Sequence, residues 1–469
     1  MKTRIEHDLL GEKEVPADAY YGIQTLRGIE NFQNISGITI GDYPNYVKAL
    51  AMVKWAAAKA NQELEILPDD IANAITRACE EIIGGKLHDQ FPVDLIQGGA
   101  GTSTNMNINE VVANRALELM GHQKGEYQYC HPNNHVNMSQ STNDAYPTSF
   151  KLAFIFMNEE LVADLKLLIQ AFRAKGEEFK EVLKMGRTQL QDAVPMTMGQ
   201  EFEAFAANLE EEVDRLNQMA KLFLEVNMGA TAIGTGINSE PEYSAKCIKN
   251  LRIISGEEFV LASNLIEATP DAGSSVMYSS ALKRLAVKLS KICNDLRLLS
   301  SGPRCGLNEI NLPPMQPGSS IMPGKVNPVI PEVVNQICYR IIGNLTVPFA
   351  AEAGQLQLNV MEPVMVHAIF SSIKMLQKGM DRLRILCVEG ITANTQHCRE
   401  MVLNSIGIVT ALNPTLGYEN SSRIAKRALK ENRSVYDLVL EEGLLTKDEL
   451  DQLLKPESMI KPHKFYKKK

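Results

Sequence analysis

The chain has 469 residues, of which 45% are hydrophobic, so two to four domains with a large core are possible and global disorder is excluded. The formal net charge is -8, with acidic and basic residues interspersed, which argues against nucleic acid as a main partner. The one basic cluster, residues 461–469, is expected to be a solvated end. We expect no signal peptide and no membrane span, because the first residues are charged and no run of 18 apolar residues occurs.

The eight cysteines are scattered along the chain without a C-x-x-C pair. This pattern is typical of reduced thiols in a cytoplasmic protein and does not indicate a disulfide framework. Cys130, His131 and His135 form one local group that resembles a metal site, but a fourth ligand is missing and residues 132–134 favour a turn. We therefore expect a cytoplasmic protein without a bound metal or cofactor.

The first 140 residues predict short helices joined by loops. One helix follows Pro44, and a second follows Pro68, where an aspartate before Ile71 is typical of an N-cap. Residues 97–105 predict a glycine-rich loop that leads into a helix at 107–120 and offers backbone N–H groups to an anion. The loop does not fit the dinucleotide pattern G-x-G-x-x-G, because no clear strand precedes it and its last position is a threonine.

Residues 139–144 form a dense run of Ser, Thr, Asn and Asp before a helix that is predicted to reach about residue 172. These residue types are typical N-caps. A cap needs only one such side chain, however, and residues 141–144 alone offer four in succession. The segment is therefore a candidate either for simple capping or for binding a ligand.

Long helical repeats begin at about residue 150. A heptad repeat runs from Phe202 to Phe223, and leucines and isoleucines at spacings of three and four run from Leu282 to Leu299. Similar patterns over 150–184, 329–346 and 362–389 give five long helices of a mainly α bundle, whose long seams favour a homo-oligomer. We predict three domains: a mostly helical N-terminal domain (1–141), the central bundle (142–393) and a small C-terminal helical domain (394–469).

Three loops of the bundle region carry reactive side chains: residues 185–195, 229–238 and 318–328. The last contains two glycines, two prolines, two serines, a lysine and an amide, which predict a loop and, by their chemistry, a functional one. Lys325 and many neutral donors suit a small, oxygen-rich dianion, although phosphate fits almost as well. The motifs H-E-x-x-H, the Walker loop and G-x-S-x-G do not occur.

These segments together resemble the aspartase/fumarase superfamily. Four motifs occur in the order typical of the family and span essentially the whole chain: residues 99–103, 139–144, 186–193 and 318–328. The chain resembles the aspartases more than the class II fumarases, because Thr142 stands where fumarases usually carry a second serine and residues 358–363 read as in aspartases.

The resemblance implies a three-domain fold whose central bundle forms a homotetramer, with each active site shared by three subunits. It implies reversible elimination of ammonia from L-aspartate to give fumarate through an enediolate (aci-carboxylate) intermediate. Ser319 would be the base that removes the Cβ proton. As an alkoxide, it would need nearby backbone N–H groups and a cation.

Nine further residues receive substrate-binding roles from the resemblance. The donors to the β-carboxylate would be Thr102, Ser141, Thr142 and Ser320. The α-carboxylate would be bound by Lys325, Asn327 and Thr188. The amino group would be held by Asn143 and Thr102 and oriented by Gln189. Residues 318–328 would act as a mobile lid with Gly318 and Gly324 as hinges.

Gln189 bears on the reaction, because fumarases and some aspartases carry histidine at this position. An amide is no general acid near neutral pH. It can therefore orient an amino group that already leaves as a protonated amine, but it cannot protonate a leaving hydroxyl. The alternative is that Gln189 only packs or bonds to nearby backbone.

Three other functions remain open from the sequence. The nearest is a class II fumarase, which hydrates fumarate to L-malate. A lyase of the argininosuccinate or adenylosuccinate type would need to bind a bulky leaving group, and no nucleotide-binding pattern is present. Non-catalytic structural use of the scaffold is disfavoured by Ser319, Lys325 and Asn327, which are all retained.

Overall fold

A computed structural model describes residues 2–455 and 459–460, so the basic cluster at 461–469 lies outside the described residues. Sixteen α-helices and eight short strands make up the regular structure of this described part. The prediction of a mainly α protein is therefore confirmed. Across residues 2–455 and 459–460, no helix combines the length and the apolar character needed to cross a membrane.

The helices are α1 Ile23–Phe32, α2 Pro44–Glu63, α3 Asp69–Ile83, α4 Thr102–Leu119, α5 Thr142–Glu178, α6 Met198–Ala220, α7 Tyr243–Ser255, α8 Leu265–Ala268, α9 Gly273–Leu299, α10 Val329–Ile342, α11 Thr346–Glu352, α12 Glu362–Leu386, α13 Thr395–Asn404, α14 Asn413–Glu431, α15 Val435–Glu441 and α16 Lys447–Leu453. The strands are β1 Thr3–Asp8, β2 Gly11–Pro16, β3 Leu183–Thr188, β4 Gln191–Thr197, β5 Glu225–Val226, β6 Val260–Leu261, β7 Ile310–Asn311 and β8 Thr392–Ala393. They pair in twos, with β5–β6 parallel and the pairs β1–β2, β3–β4 and β7–β8 antiparallel.

The long helices are the main feature of the fold. Helices α5, α6, α9 and α12 have 37, 23, 27 and 25 residues. The heptad positions Phe202, Leu209 and Leu216 are each 0% exposed, so the predicted seam of α6 is confirmed; Phe223 is equally buried but lies just beyond the end of α6. The predicted seam positions of α9 are likewise buried: Leu282, Leu285, Leu289, Ile292, Leu296 and Leu299.

The chain forms two compact units. The first contains Met1–Val162, Asp214–Arg284 and Arg340–Met375, and in it α2 packs against α3, α4 and α7. The second contains Ala163–Val213, Leu285–Tyr339 and Leu376–Lys469. The division into domains at 1–141, 142–393 and 394–469 stays a prediction.

The second unit has a core formed by its C-terminal helices. Buried members of this core are Val402, Leu412, Ile424 and Leu438, and Met185 of β3 belongs to the same cluster. The β3–β4 hairpin is therefore held by apolar contacts to the C-terminal helices, which the sequence pattern did not predict.

Several predicted element ends are wrong. Helix α5 ends at Glu178 and not near 184, because residues 183–197 pair as the β3–β4 hairpin and are not a simple linker. The helix predicted over 329–346 ends at Ile342. A separate helix, α11, begins at Thr346; its N-cap residue is Leu345, and the Asn344 side-chain oxygen accepts the Thr346 N–H in the preceding turn.

Two N-terminal predictions are corrected in the same way. The predicted helix at 107–120 begins five residues earlier, at Thr102, because Gly101 adopts the left-handed conformation that ends the loop. Helix α3 begins at Asp69, and Pro68 is its N-cap residue without a side-chain cap. The two aspartates lie in the first turn, where their negative charges stabilise the positive end of the helix dipole.

A proline and a glycine shape the first part of α14. Pro414 lies in the first turn of α14, where its missing N–H costs no helical hydrogen bond. Gly417 interrupts the same helix, with φ of 75° and ψ of 162°. Asn413 therefore starts a helix, and the backbone is locally non-helical at Gly417.

Gly101→Ala should lower stability by more than the roughly 1–2 kcal/mol of a left-handed alanine, because the added Cβ would lie 2.5 Å from the Tyr146 ring. Gly121→Ala is the matched control: its φ of +85° resembles the +88° of Gly101, but nothing lies within 4 Å of the added Cβ. Thermal and denaturant unfolding of both variants measure the difference. Equal losses in the two variants would contradict the assigned contact with Tyr146.

Candidate active site

Thr102 is the first residue of α4 and follows three consecutive residues with positive φ. Gly99, Ala100 and Gly101 have φ of 87°, 55° and 88°, and the alanine adopts this conformation at a cost of about 1–2 kcal/mol. The exposed Thr102 hydroxyl donates to the Gly99 carbonyl at 2.8 Å. Because no side chain caps α4, its positive end remains suited to an anion.

Ser141, Thr142 and Asn143 lie at the start of α5 and are partly exposed. The Ser141 hydroxyl oxygen accepts the Asn143 backbone N–H at 3.2 Å. The Asn143 side-chain amide donates to the carbonyl of Ala232 at 2.7 Å. The start of α5 is therefore bound to the 229–238 segment, and this segment supports the predicted substrate-binding residues.

Asp144 is buried directly behind these residues. Its carboxylate accepts the backbone N–H groups of Ser141 at 2.9 Å, Gly229 at 3.1 Å and Thr231 at 2.9 Å. Burial raises the pKa of Asp144 to about 6, whereas the three N–H donors act to lower it. The sequence indicated a capping role for this run, and the structure adds that Asp144 joins two loops.

Lys54 of α2 is 1% exposed and lies next to the same segment. Its ammonium donates to Asn105 Oδ1 at 2.7 Å, Gln140 Oε1 at 2.8 Å and Asn137 Oδ1 at 3.1 Å. Burial lowers the pKa of Lys54 to about 7. Lys54 was not predicted from the sequence, although a lysine on the apolar stripe of a helix is itself a signal.

Thr188 and Gln189 lie at the exposed tip of the β3–β4 hairpin. Gln189 and Leu190 form its two-residue turn, with φ of 54° and 60°. Such turns usually contain Asn or Gly, because positive φ strains other residues. Strained turns are frequent at functional sites, and this one presents an amide at the tip.

The base of the hairpin is held by a buried carboxylate. Glu309 is 1% exposed and lies 3.0 Å from the ammonium of Lys184, which is 2% exposed. Arg187 also forms an ion pair with Glu309. Removing one partner from such a buried group is strongly destabilising, so this pairing holds Thr188 and Gln189 on a firm support.

Residues 318–328 form a loop that is closed at its neck. The Gly318 N–H donates to the Lys325 carbonyl at 2.7 Å, and Asn327 Nδ2 donates to the Gly318 carbonyl at 2.8 Å. A Cβ on Gly318 would lie 2.7 Å from the Lys325 carbonyl oxygen, whereas Gly324 has φ of +79°. Glycine is therefore required at both positions, and the hinge motion stays a prediction.

Ser319 is the partly buried serine of this loop, and Ser320 is exposed. The Ser319 hydroxyl oxygen accepts the N–H groups of Met322 at 3.0 Å and Ile321 at 3.2 Å. Two backbone donors on one hydroxyl oxygen favour negative charge on that atom. The side chain of Lys325 is exposed.

The ten predicted residues fall into two groups. Thr102, Ser141, Thr142 and Asn143 belong to the first unit. There the Asn105 amide, which donates to the Thr142 hydroxyl at 3.2 Å, links the first turn of α4 to the start of α5. The second unit contains the other group, which comprises Thr188, Gln189, Ser319, Ser320, Lys325 and Asn327.

The histidine pair near Cys130 has local hydrogen bonds. The His131 N–H donates to His135 Nδ1 at 2.9 Å, and His131 Nδ1 accepts the N–H of Asn133 at 3.0 Å. Within the described part of the chain, no group of three or more His, Cys, Asp and Glu residues is arranged to hold a metal ion.

Comparisons with known proteins place the chain in a family. Residues 11–343 match the family model described as "Lyase", and residues 408–461 match the one described as "Fumarase C C-terminus". The chain is 63% identical to an aspartate ammonia-lyase of Pseudomonas aeruginosa over 462 residues, which cover 98% of this chain and 97% of the relative.

Solved structures agree with this placement. A fumarate lyase:delta crystallin from Brucella melitensis bound to cobalt matches with a TM-score of 0.95 and 55% identity, over 98% of this chain and 100% of that chain. A class II fumarase from Schistosoma mansoni matches with a TM-score of 0.90 and 34% identity, over 99% of this chain and 100% of that one. This chain therefore belongs to the aspartase/fumarase superfamily of lyases.

Proposed function

We propose that this chain is a carbon–nitrogen lyase that converts L-aspartate reversibly to fumarate and ammonia. The observation that carries this function is the 63% identity, over 98% of the chain, to a relative named aspartate ammonia-lyase. A fumarase of the same fold is only 34% identical. The chemistry of the site residues supports the same choice.

The leaving group distinguishes the two reactions. The ammonium group of L-aspartate leaves Cα as neutral ammonia, because the electrons of the C–N bond stay with nitrogen. A hydroxyl group would need a general acid. The hairpin tip presents Gln189, whose amide orients an amino group but gives no proton at neutral pH. This residue therefore favours deamination over hydration.

The first chemical step removes a proton from Cβ, and negative charge then develops on the β-carboxylate. Hydroxyl donors stabilise this enediolate, and each one lowers the barrier by about 3 kcal/mol. We assign this role to the hydroxyls of Thr102, Ser141, Thr142 and Ser320. Three of these are supported by their place at the starts of α4 and α5.

Ser319 is the proposed base. Its alkoxide takes the Cβ proton, the C–H electrons form the C=C bond, and the C–N bond breaks. The two N–H donors from Ile321 and Met322 support this role, since they stabilise negative charge on the hydroxyl oxygen. Lys325 on the same loop adds a positive charge.

The remaining polar residues bind the other end of the substrate. Lys325, Asn327 and Thr188 bind the α-carboxylate, and Asn143 with Thr102 holds the amino group. In the free protein the Asn327 amide donates to Gly318. The NH₂ group has a second proton, which can bind the α-carboxylate while the bond to Gly318 holds the amide in place.

We also propose a homotetramer whose active sites combine residues of three subunits. Large apolar side chains are exposed along the bundle, which supports burial in an assembly. The segment around α11 exposes Leu345 by 50%, Phe349 by 67% and Leu356 by 86%. A cytoplasmic location is supported by the eight cysteines, all described and all free.

The function is tested by supplying L-aspartate and L-malate separately and following fumarate by its ultraviolet absorbance. We expect fast fumarate formation from L-aspartate and a rate at least about 100-fold lower from L-malate, because the hydroxyl lacks an acid. Faster turnover of L-malate would replace the proposed function by that of a fumarase.

Ser319→Ala should lower kcat by about 10³-fold with KM changed only a few-fold, because the base is lost while the carboxylate-binding groups remain. Ser434→Ala is the matched control, since the Ser434 hydroxyl also accepts a backbone N–H, from Tyr436 at 3.1 Å. It should reduce stability by about 1 kcal/mol and leave kcat unchanged. Full activity of Ser319→Ala would remove the serine from the mechanism.

Shared active sites predict complementation between variants of strongly reduced activity. When Ser319→Ala and Thr142→Val subunits are unfolded together and reassembled, about one quarter of the sites should contain neither substitution, and activity should return to that level. A mixture of Ser319→Ala and Ser320→Ala is the control, because both changes lie on one loop of one subunit. Equal recovery in the two mixtures, or none in the first, would contradict shared sites.

A further inference from the structure

Lys54 has an unusual set of direct partners for a buried cation. Its ammonium carries three protons and lies within hydrogen-bond distance of three side-chain oxygens. All three belong to neutral amides: Asn105, Asn137 and Gln140. A buried charge is costly unless its hydrogen bonds are satisfied, so these three acceptors are required.

The ammonium determines which way the Asn105 amide points. The protonated form of Lys54, which predominates below its pKa of about 7, only donates, so the oxygen of Asn105 must face it and the NH₂ group must face away. That NH₂ group lies 3.1 Å from Asn137 Oδ1 and 3.2 Å from Thr142 Oγ1. The reversed amide would place an NH₂ group against the ammonium and leave both of these oxygens without that donor.

The orientation of Asn105 in turn sets the hydrogen bonding of Thr142. Because Thr142 Oγ1 accepts the Asn105 N–H, its own O–H bond must point in another direction. Among the described residues, the Thr142 hydroxyl has no acceptor within hydrogen-bond distance. Thr142 is partly exposed at the first position of α5, so its proton is available to a ligand.

We propose that Lys54 is a positioning residue that, through the Asn105 amide, directs the hydroxyl proton of Thr142 toward the substrate β-carboxylate. The chain of contacts passes from a group that only donates, through an amide that accepts and donates, to a hydroxyl. Each link has one allowed direction. This inference rests on the proposed function for the identity of the carboxylate, but the link from Lys54 to Asn105 does not.

Asn105→Asp reverses the last link while retaining the size of the side chain. A carboxylate has no N–H, so Thr142 would donate to it and turn its lone pairs toward the substrate. We expect kcat to fall about 10²-fold, the effect of losing one preorganised donor. In a Thr142→Val background the same change should cost less than about threefold, because the hydroxyl that it reverses is already gone.

Gln140→Glu is the matched control. It places the same negative charge next to the same ammonium. The native Gln140 side chain makes no hydrogen bond to Thr142; besides accepting from Lys54, it donates to the carbonyls of Val136 and Met138. The glutamate also loses the two N–H bonds of Gln140, but neither reaches Thr142, so its effect on kcat should be equal with and without Thr142→Val. If Asn105→Asp behaves like Gln140→Glu, with equal losses in both backgrounds, the inference is overturned.

Lys54→Met tests the first link directly. Without the ammonium, the Asn105 amide is free to reverse, and the Thr142 proton loses its set direction. We expect a loss of kcat of about tenfold that disappears in the Thr142→Val background. A loss that persists there would show that Lys54 supports the fold without directing Thr142.

Stability against pH tests the Lys54–Asn105 link without using activity. The titratable groups facing Lys54 are Asp144 of α5, Cys79 of α3 and Cys247 of α7. Burial lowers the pKa of Lys54 from 10.5 to about 7, so the unfolded chain binds an extra proton between these values. The free energy of unfolding therefore rises with pH across this window.

Asn105→Asp should flatten this rise, because an ionised partner raises the pKa of Lys54 in the folded chain. Denaturant unfolding between pH 7 and 10 measures the slope. A flattened slope supports the link even if L-aspartate is not a substrate, which separates failure of the inference from failure of the proposed function. An unchanged slope would contradict the contact between Lys54 and Asn105.

Discussion

The start of α5 depends on the three backbone N–H groups that Asp144 accepts. Two of them come from residues 229 and 231, far away in sequence, and the third comes from Ser141. A buried carboxylate without these donors would be too costly, so the two loops and the carboxylate stabilise one another. Ser141, Thr142 and Asn143 occupy the same turn. Their side chains are partly exposed, while the buried Asp144 carboxylate holds the backbone of this turn through the Ser141 N–H.

In the second unit, different groups support the residues of the candidate site. Buried Glu309 pairs with Lys184 and Arg187 at the base of the hairpin, and the loop of Ser319 is closed by bonds between Gly318 and the residues 325–327. Both arrangements leave reactive side chains exposed on short, strained or glycine-dependent segments. Rigid support beneath exposed donors is what an enediolate requires, since preorganised donors stabilise charge without reorganising during the reaction.

Much of the fold followed from periodicity. The seams of α6 and α9 were predicted position by position, because a buried helical face repeats every three to four residues regardless of its partners. Element ends were less predictable. The β3–β4 hairpin was missed because its turn uses Gln189 and Leu190 with positive φ, where turn rules expect Asn or Gly. Packing of Met185 in the C-terminal core stabilises that hairpin, and no local pattern contains this contact.

The residues of the candidate site also separate into those that the sequence predicted and those that only the tertiary structure revealed. The sequence by itself determined which exposed hydroxyl and amide donors are candidates, and it determined the loop of Ser319. Glycine, proline and hydroxyl residues are concentrated in a few short segments, and these segments follow a recognisable order. Only the tertiary structure identified Lys54, Asn105, Asp144 and Glu309 as their supports. These residues lie inside helices or next to ordinary loops, and their roles come from partners that are distant in the chain. A hydrogen bond between such partners is a property of three-dimensional packing, which burial and the required pairing of polar groups enforce.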